Sequence, residues 1–254
     1  MTYQIINQDC LEWMRTQPAD SVDIILTSPP YNLKGFRGNP KIPTNFWSKS
    51  RIDYGVYDDN MPEEEYQQWQ IDIINEGLRI LKPSGSFFYQ HKLRKWHGSS
   101  NHPMSWILQS NARLFQEIIW DRKSTLAHRD GQLYNHTERI FWLIKDKPKV
   151  FRRQMPDEFK KDIWIIPPRP NKLHPAPFPE QLAEMCIRLT TEPGDIVYDP
   201  FSGSGTTVYV ADRLDRHGIG TEIDPNYVEI SIKRIEAWFK KDPIQASGLF
   251  DECP

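Results

Sequence analysis

Residues 22–32 read Val-Asp-Ile-Ile-Leu-Thr-Ser-Pro-Pro-Tyr-Asn, and this stretch decides the fold predicted for the chain. The Ile-Ile-Leu run at 24–26 is typical of a strand that is covered on both faces of a parallel sheet. Pro29 and Pro30 end the strand, because proline fixes φ and has no backbone N–H to donate. The stretch therefore predicts a buried strand that runs into a rigid turn, at the edge where open α/β sheets bind ligands.

The turn carries groups that suit it to hold an amine. The exocyclic amine of a nucleobase is a poor nucleophile, because its lone pair is delocalised into the ring. Ser28 Oγ and the Pro29 carbonyl oxygen are acceptors for its two hydrogens, and Tyr31 offers a ring on which an extruded base can stack. The alternative is a structural proline turn in which Tyr31 is a packing residue, an ambiguity common to short motifs.

A second segment, residues 194–207, reads Gly-Asp-Ile-Val-Tyr-Asp-Pro-Phe-Ser-Gly-Ser-Gly-Thr-Thr. The apolar run at 196–198 predicts a strand, and Gly203 and Gly205 let the backbone pass close to a ligand before a helix begins. The next strand ends at Glu222, whose carboxylate can bind both hydroxyls of a ribose. This unit predicts a nucleotide-type site but leaves the identity of the ligand open.

Thr-Ser-Pro-Pro-Tyr at 27–31 and Asp-Pro-Phe-Ser-Gly-Ser-Gly-Thr-Thr at 199–207 together resemble the S-adenosylmethionine-dependent DNA amino-methyltransferases. These enzymes modify N4 of cytosine or N6 of adenine. The catalytic motif precedes the cofactor loop, as in the circularly permuted β group of that family. The resemblance covers most of residues 1–240. It implies a doubly wound, mostly parallel α/β sheet of the Rossmann-like methyltransferase type, with S-adenosyl-L-methionine as cofactor.

The resemblance also implies two sets of site residues. The target base is held by Ser28, Pro29, Pro30 and Tyr31. The cofactor is bound by Asp9, Cys10, Phe178, Asp199, Phe201, Ser202, Gly203, Gly205, Thr206, Glu222 and Ile223. Asp9 is expected near the adenine amine, although it also suits the N-cap of a helix that follows. Phe178 is expected to form an apolar wall beside the methionine part of the cofactor.

Composition sets the outer bounds. The chain has 254 residues and is 38% hydrophobic, which predicts one domain over residues 1–254 with a single elaboration. The resemblance implies that this domain is catalytic. We find no apolar run long enough to span a membrane and no signal peptide at the start. The three cysteines form neither a metal-ligand nor a disulfide pattern, and none follows a proline as in carbon-5 cytosine methylation. A reducing, cytoplasmic location is expected.

The net charge is −2, but basic residues are clustered. Three clusters lie at Lys34–Arg51, His91–His97 and Lys147–Arg153. We expect double-stranded DNA to contact the first two and the range 121–172, which is predicted to be a small inserted target-recognition region. The alternative for each cluster is a solvated face. The long segment 32–60 is expected to close over a flipped base. A homodimer and a cognate restriction endonuclease remain open as partners.

Apolar spacing and turn residues predict the other elements. Strands are expected at 3–9, 86–90, 115–120 and 140–144, and helices at 63–81, 104–114, 181–189 and from 225 onward. The four prolines between 155 and 172 predict extended, irregular structure, and the tail at 242–254 is expected to be loosely ordered.

The family resemblance and the serine turn together imply methyl transfer to N4 of a flipped cytosine in DNA. In the family, serine at position 28 is commoner in the cytosine-N4 enzymes, and aspartate or asparagine is commoner in the adenine enzymes. The His-Pro-Ala-Pro-Phe-Pro stretch at 174–179 also resembles cytosine-N4 members. The alternatives are N6-adenine methylation of DNA, methylation of RNA or of a protein glutamine, and a non-catalytic DNA-binding module. The order of the two motifs disfavours the RNA and protein enzymes, because their cofactor loop usually comes first.

Overall fold

The computed structural model describes residues 3–32, 59–96, 99–123, 133, 136–167 and 179–241. The strands are β1 (Tyr3–Asn7), β2 (Val22–Thr27), β3 (Leu81–His91), β4 (Arg94–Trp96), β5 (Ser99–Asn101), β6 (Arg113–Asp121), β7 (Thr137–Ile144), β8 (Ile163–Ile165), β9 (Ile196–Asp199) and β10 (His217–Glu222). The helices are α1 (Cys10–Thr16), α2 (Glu63–Ile80), α3 (Met104–Ile107), α4 (Glu180–Thr190), α5 (Thr206–Arg213) and α6 (Pro225–Lys241). Short 3-10 turns lie at Arg152–Gln154 and Asp157–Phe159.

Eight strands form one sheet in the order β1-β10-β9-β2-β3-β7-β6-β8. The first five run parallel, β7 runs antiparallel to both β3 and β6, and β8 runs parallel to β6. β2 lies between β9 and β3, so the carboxyl ends of these three strands meet at one edge of the sheet. The turn after β2, called the catalytic turn below after its predicted role, and the glycine-rich loop are therefore neighbours.

Helices cover both faces of the sheet. Side chains alternate between the two faces along a strand, so neighbouring residues of β2 pack against different helices. Ile24 and Leu26 of β2 pack with α4, α5 and α6 on one face. Ile25 packs with α1, α2 and α3 on the other face. All six residues of β2 are buried. The α/β, doubly wound sheet predicted from the sequence is confirmed.

Two predicted elements are wrong in their bounds. The helix expected at 104–114 ends at Ile107, and β6 begins at Arg113. The chain turns at Asn111, whose N–H donates to Asn75 Oδ1 at 2.8 Å. Leu114, the last residue of the expected helix, is 40% exposed on the strand. β3 begins at Leu81, although its strand was expected to begin at residue 86.

The range 121–172 is not wholly an insertion. It contains β7, which lies between β3 and β6 in the main sheet, and β8, which forms the end of that sheet. β7 is buried along most of its length because two strands flank it. The other parts of this range at 124–132, 134–135 and 168–172 lie outside the described residues, as do Lys34–Arg51, Phe178 and the tail at 242–254.

No helix among the described residues combines the length and the apolar character that crossing a membrane requires.

A buried ion pair fixes α2 against the β4–β5 hairpin. Arg94 has no exposed side-chain surface, and its guanidinium donates to both carboxylate oxygens of Glu63 at 2.6 and 2.9 Å. The guanidinium carbon lies 4.5 Å from the ring centroid of Tyr66 and 5.5 Å from that of Trp106. The pair therefore supports Tyr66, whose hydroxyl reaches the turn after β2.

We expect Glu63→Ala to lower the free energy of unfolding by about 3 kcal/mol, because it leaves the Arg94 charge buried without its carboxylate. Glu64→Ala is the matched control, since Glu64 is exposed in the same first turn of α2. It should change stability by no more than about 0.5 kcal/mol. Urea unfolding of the two variants checks this difference, and equal losses would contradict the role of the pair.

Candidate active site

The turn after β2 is held by a side chain of α2. Pro29 is buried, and the Tyr66 hydroxyl donates to the Pro30 carbonyl oxygen at 2.8 Å. Ser28 is partly buried, and its Oγ lies 2.9 Å from the hydroxyl oxygen of Tyr31. The four predicted catalytic residues thus lie together at the carboxyl edge of the sheet, in a backbone fixed by two prolines and the hydrogen bond from Tyr66.

Asn32 closes the turn on its far side. Its side-chain amide pairs with the backbone of Met61, accepting from the N–H and donating to the carbonyl at 2.8 Å each. Its own N–H donates to the buried carboxylate of Asp59 at 2.6 Å. The backbone of Asn32 is left-handed, with φ of 55°, a conformation that asparagine tolerates better than most residues. These bonds join the two ends of the undescribed segment 33–58 beside Tyr31.

Tyr31 is 9% exposed, and its ring already has neighbours. Its centroid lies 4.7 Å from that of His91 and 4.9 Å from the ammonium nitrogen of Lys92. Burial lowers the pKa of Lys92, and the nearby carboxylate of Glu138 opposes that shift. Stacking of a base on Tyr31 stays a prediction, and on the face that Lys92 covers it requires the ammonium group to move aside.

The basic cluster His91–His97 does not form a phosphate-binding face as a whole. His91 and Arg94 are fully buried. His91 Nε2 lies 2.8 Å from the Tyr66 hydroxyl and Nδ1 lies 2.7 Å from the Lys92 carbonyl oxygen. Burial lowers the pKa of His91 well below its usual value. The prediction of DNA contact is wrong for these two residues, and His97 lies outside the described residues.

The cluster Lys147–Arg153 is exposed but lies away from the turn. The N–H of Lys149 donates to the carbonyl of Ser84, near the start of β3. The catalytic turn lies at the opposite edge, where β3 ends. The cluster therefore does not extend the surface around the predicted target base.

A buried carboxylate connects the turn to the glycine-rich loop. Asp199 ends β9 and is 5% exposed. Its Oδ1 accepts from the Thr27 hydroxyl at 2.8 Å and from the Phe201 N–H at 3.0 Å. Burial raises the pKa of Asp199 to about 6, and the hydrogen bonds from Thr207, Thr27 and the Phe201 N–H oppose the shift. Asp199 thus contacts protein groups that position the loop.

The loop itself packs against β10. The Ser202 N–H donates to the Thr221 carbonyl at 3.0 Å, and the Gly203 N–H donates to Glu222 Oε2 at 2.9 Å. Gly203 and Gly205 have φ of 50° and 75°, which favour glycine. A Cβ at position 220 would lie 2.6 Å from Ser202 Oγ, so only glycine in β10 allows this approach.

Glu222 and Asp9 face the same edge from neighbouring strands. β1 and β10 pair in register with Asn7 opposite Glu222, and the Asn7 amide donates to the carbonyls of Glu222 and Ile223. Burial raises the pKa of Glu222, whose carboxylate also accepts from the Asp224 N–H at 2.9 Å. Asp9 Oδ1 accepts from two N–H groups of α1, so its N-cap role is confirmed and its adenine contact stays a prediction.

The remaining cofactor residues take different positions. Cys10 is 3% exposed, and burial raises the pKa of its thiol well above the usual value. The ring of Phe201 lies 5.5 Å from that of Trp69 on α2. Thr206 is buried, while Ile223 is 43% exposed. Phe178 lies outside the described residues. The described members of the two predicted sets therefore lie along one edge, divided between the end of β2 and the ends of β1, β9 and β10.

Arg234 on α6 holds the loop from outside, and the sequence did not indicate it. Its guanidinium donates to the Ser204 carbonyl at 3.0 Å, to Thr206 Oγ1 at 2.8 Å and to Glu180 on α4 at 2.9 Å. An arginine on an amphipathic helix is usually solvated, so spacing alone gave no signal. Gln90 on β3 was also missed, but the sequence carried a signal for it, since it is a polar residue that directly follows an apolar strand run.

This edge fits a nucleoside with a charged or polar tail. It offers acceptor oxygens on Glu222 and Asp9, and a glycine loop whose backbone approaches closely. Ser202 Oγ is buried without a hydrogen-bond partner among the described residues. No cluster of histidine, cysteine, aspartate or glutamate suited to a metal ion occurs within the described ranges.

Comparisons with known proteins point to one family. A family model described as N6_N4_Mtase, DNA methylase, matches residues 22–233. The Type II methyltransferase M.BglII of Bacillus subtilis is 30% identical over 263 residues, which cover 90% of this chain and 67% of that protein.

Two solved structures have the same fold. One, titled PvuII DNA methyltransferase (cytosine-N4-specific), aligns with a TM-score of 0.74 at 22% identity, covering 95% of this chain and 92% of that one. The other, the M1.HpyAVI–SAM complex, gives a TM-score of 0.63 at 22% identity, with coverages of 92% and 98%.

The raised pKa of Asp199 predicts a pH dependence of stability. The folded protein holds this proton up to about pH 6, whereas the unfolded chain releases it near pH 4. The contribution of this proton to the free energy of unfolding is therefore fully present below about pH 4 and is lost as the pH rises through 6. Relative to Asp199→Asn, the wild-type free energy of unfolding should fall by about 3 kcal/mol over that window. Urea unfolding at several pH values checks this, and a constant difference would contradict it.

Proposed function

The chain belongs to the N6/N4 methyltransferase family of DNA methylases, and from this premise we propose that it methylates the exocyclic N4 amine of cytosine in DNA. The methyl donor is S-adenosyl-L-methionine. The observation that carries the proposal is the serine turn. Ser28 and the Pro29 carbonyl lie at the end of β2, next to β9 and the loop that follows it.

The protein's part in the reaction is to hold and orient the amine. Ser28 Oγ accepts one hydrogen of the amine and the Pro29 carbonyl accepts the other, which draws the nitrogen towards a tetrahedral, nucleophilic state. The base is taken out of the duplex to reach these groups, with Tyr31 beside it. Fixed acceptors in a partly buried site need little reorganisation as charge develops.

The glycine-rich loop would hold the cofactor. When bound, S-adenosylmethionine supplies a methyl group on a positively charged sulfonium. Glu222 would accept hydrogen bonds from the ribose hydroxyls, and the N–H groups of Gly203 and Asp224 fix its carboxylate. Asp9 would accept from the adenine amine while it caps α1. Phe178 and Ile223 would supply apolar walls.

Asp199 and Thr206 act on this site from behind the loop. The Asp199 carboxylate is turned to Thr27 and the Phe201 N–H, so it fixes the distance between loop and turn. At the start of α5, Thr206 Oγ1 accepts a hydrogen bond from the Arg234 guanidinium. No strong base is required, since the amine proton is released to solvent during or after transfer.

Cytosine is preferred to adenine because residue 28 is serine, which in the family is commoner in cytosine-N4 enzymes. Adenine N6 is the alternative, because its amine has the same amidine-like character and fits the same acceptors. The likeness to the PvuII enzyme supports the shared fold, and the base assignment rests on Ser28. Lys34–Arg51 remains the proposed contact to DNA phosphates, and a homodimer or a cognate endonuclease remains a proposed partner.

Two variants should separate catalysis from cofactor binding. Ser28→Ala should retain cofactor affinity and lose methyl transfer by about 100-fold, because it removes one acceptor of the amine. Gly203→Asp should weaken cofactor binding by at least about tenfold, because it places a second carboxylate beside Glu222. Calorimetry with S-adenosylmethionine and transfer of labelled methyl to unmethylated genomic DNA measure the two effects.

Gly194→Asp is the matched control for the glycine variant. Gly194 has φ of 88° in an exposed turn with open space around it. It should keep both binding and transfer. Methyl transfer by Ser28→Ala at the wild-type rate would contradict the acceptor role. Transfer to RNA or to protein, with none to DNA, would contradict the proposed substrate.

A further inference from the structure

A row of hydrogen bonds runs from the catalytic turn to a carboxylate on β7. The Tyr31 hydroxyl lies 2.9 Å from Ser28 Oγ and 2.6 Å from Gln90 Oε1. Gln90 Nε2 donates to Glu138 Oε2, and Arg122 donates to Glu138 Oε1 at 2.6 Å. We call the row Ser28, Tyr31, Gln90 and Glu138 the Ser28–Glu138 relay.

The direction of each bond in the relay follows from the carboxylate. An ionised carboxylate only accepts, so the Gln90 amide must turn its NH2 group to Glu138 and its oxygen to Tyr31. An amide oxygen also only accepts, so Tyr31 donates its single proton to Gln90. The remaining contact then requires Ser28 to donate its proton to the Tyr31 oxygen.

This direction decides how Ser28 meets a substrate amine. With its proton held by Tyr31, Ser28 Oγ presents lone pairs and accepts a hydrogen of the amine. A serine free to rotate can instead donate to the nitrogen, which ties up the lone pair needed for the new N–C bond. The relay therefore selects the productive hydrogen-bonding state before the base arrives.

The surroundings keep the relay in place. Gln90 is 1% exposed and the Glu138 side chain is 12% exposed, and hydrogen bonds are stronger where water is excluded. Gln90 lies opposite Ile140 in the β3–β7 pairing, which places Glu138 two residues along the same face. Glu138 Oε2 also lies 3.5 Å from the Tyr31 hydroxyl, so either acceptor draws that proton away from Ser28.

We propose that Gln90 and Glu138 are positioning residues that fix Ser28 Oγ as an acceptor for the target amine. This inference rests on the proposed function. Neither residue need contact the base, since both act through Tyr31. The relay connects the methylation turn to β7, within the range predicted for target recognition.

Glu138→Gln tests the relay with little change in shape. A neutral amide at 138 can donate to the oxygen of Gln90, so the order of donors can reverse and Tyr31 can donate to Ser28. The rate of methyl transfer to genomic DNA at saturating cofactor should fall about 10- to 100-fold. The Kd for S-adenosylmethionine should stay unchanged, because the relay does not reach the glycine loop.

Glu117→Gln is the matched control. Glu117 pairs with Arg139 at 2.9 Å on the same two strands, β6 and β7. Its substitution removes a comparable ion pair, and the methyl-transfer rate should stay within about twofold of wild type.

A double-mutant cycle separates positioning from general support of the fold. In a Ser28→Ala background, Glu138→Gln should change the residual rate by less than about twofold, because its target hydroxyl is gone. Equal losses in both backgrounds would overturn the inference. Glu138→Asp should recover part of the lost rate, since it keeps an acceptor-only group. If Glu138→Gln does not fold, Gln90→Met decides in the same cycle, because it breaks the relay and leaves the Glu138–Arg122 pair.

The two proposals fail in different ways. A wild-type protein that transfers no methyl to any DNA contradicts the proposed function and the relay's role in it. An active wild-type protein with an equally active Glu138→Gln variant overturns the relay alone.

Discussion

The buried carboxylate of Asp199 joins the strand that leads to the catalytic turn with the loop proposed to bind the cofactor. It accepts from Thr27, 172 residues earlier in the chain, and from the Phe201 N–H in its own loop. Burial raises its pKa, so the charged form is costly and is tolerated because several donors converge on it. The parallel pairing of β2 with β9 makes this contact geometrically available. In the proposed reaction, the separation between the amine on the turn and the methyl group on the loop depends on this contact.

The turn takes its shape from side chains on other elements. Tyr66 on α2 donates a hydrogen bond to the Pro30 carbonyl, and Gln90 on β3 accepts one from the Tyr31 hydroxyl. The Asn32 side chain accepts a hydrogen bond from the Met61 N–H. Contacts from α2, from β3 and from the backbone of Met61 thus determine where three consecutive residues lie. Such support is what holds a catalytic group to within a fraction of an ångström, and small displacements are costly in rate. The buried Glu63–Arg94 pair supports Tyr66 from beneath.

The sequence predicted the parts of the site that depend on local chemistry. A β-branched run before two prolines, and an acid followed by glycines with positive φ, have few other structural uses. Both segments lie as expected. The side chains that hold them were not predictable, since Gln90, Glu138 and Tyr66 reach the turn through contacts far apart in sequence. The clustering of basic residues was misleading as a sign of DNA contact, because it too left out partners far apart in sequence. Arg94 looked like a phosphate ligand, but its carboxylate partner on α2, 31 residues away, keeps it buried.

Nucleoside analysis tests most directly whether this chain methylates N4 of cytosine in DNA. Unmethylated DNA is treated with the wild-type protein and labelled S-adenosylmethionine, digested, and separated by chromatography with mass detection. We expect the label in N4-methyldeoxycytidine. Label in N6-methyldeoxyadenosine would contradict the assignment made from Ser28, while a wild-type protein that binds cofactor and labels neither nucleoside would contradict the proposed reaction on DNA.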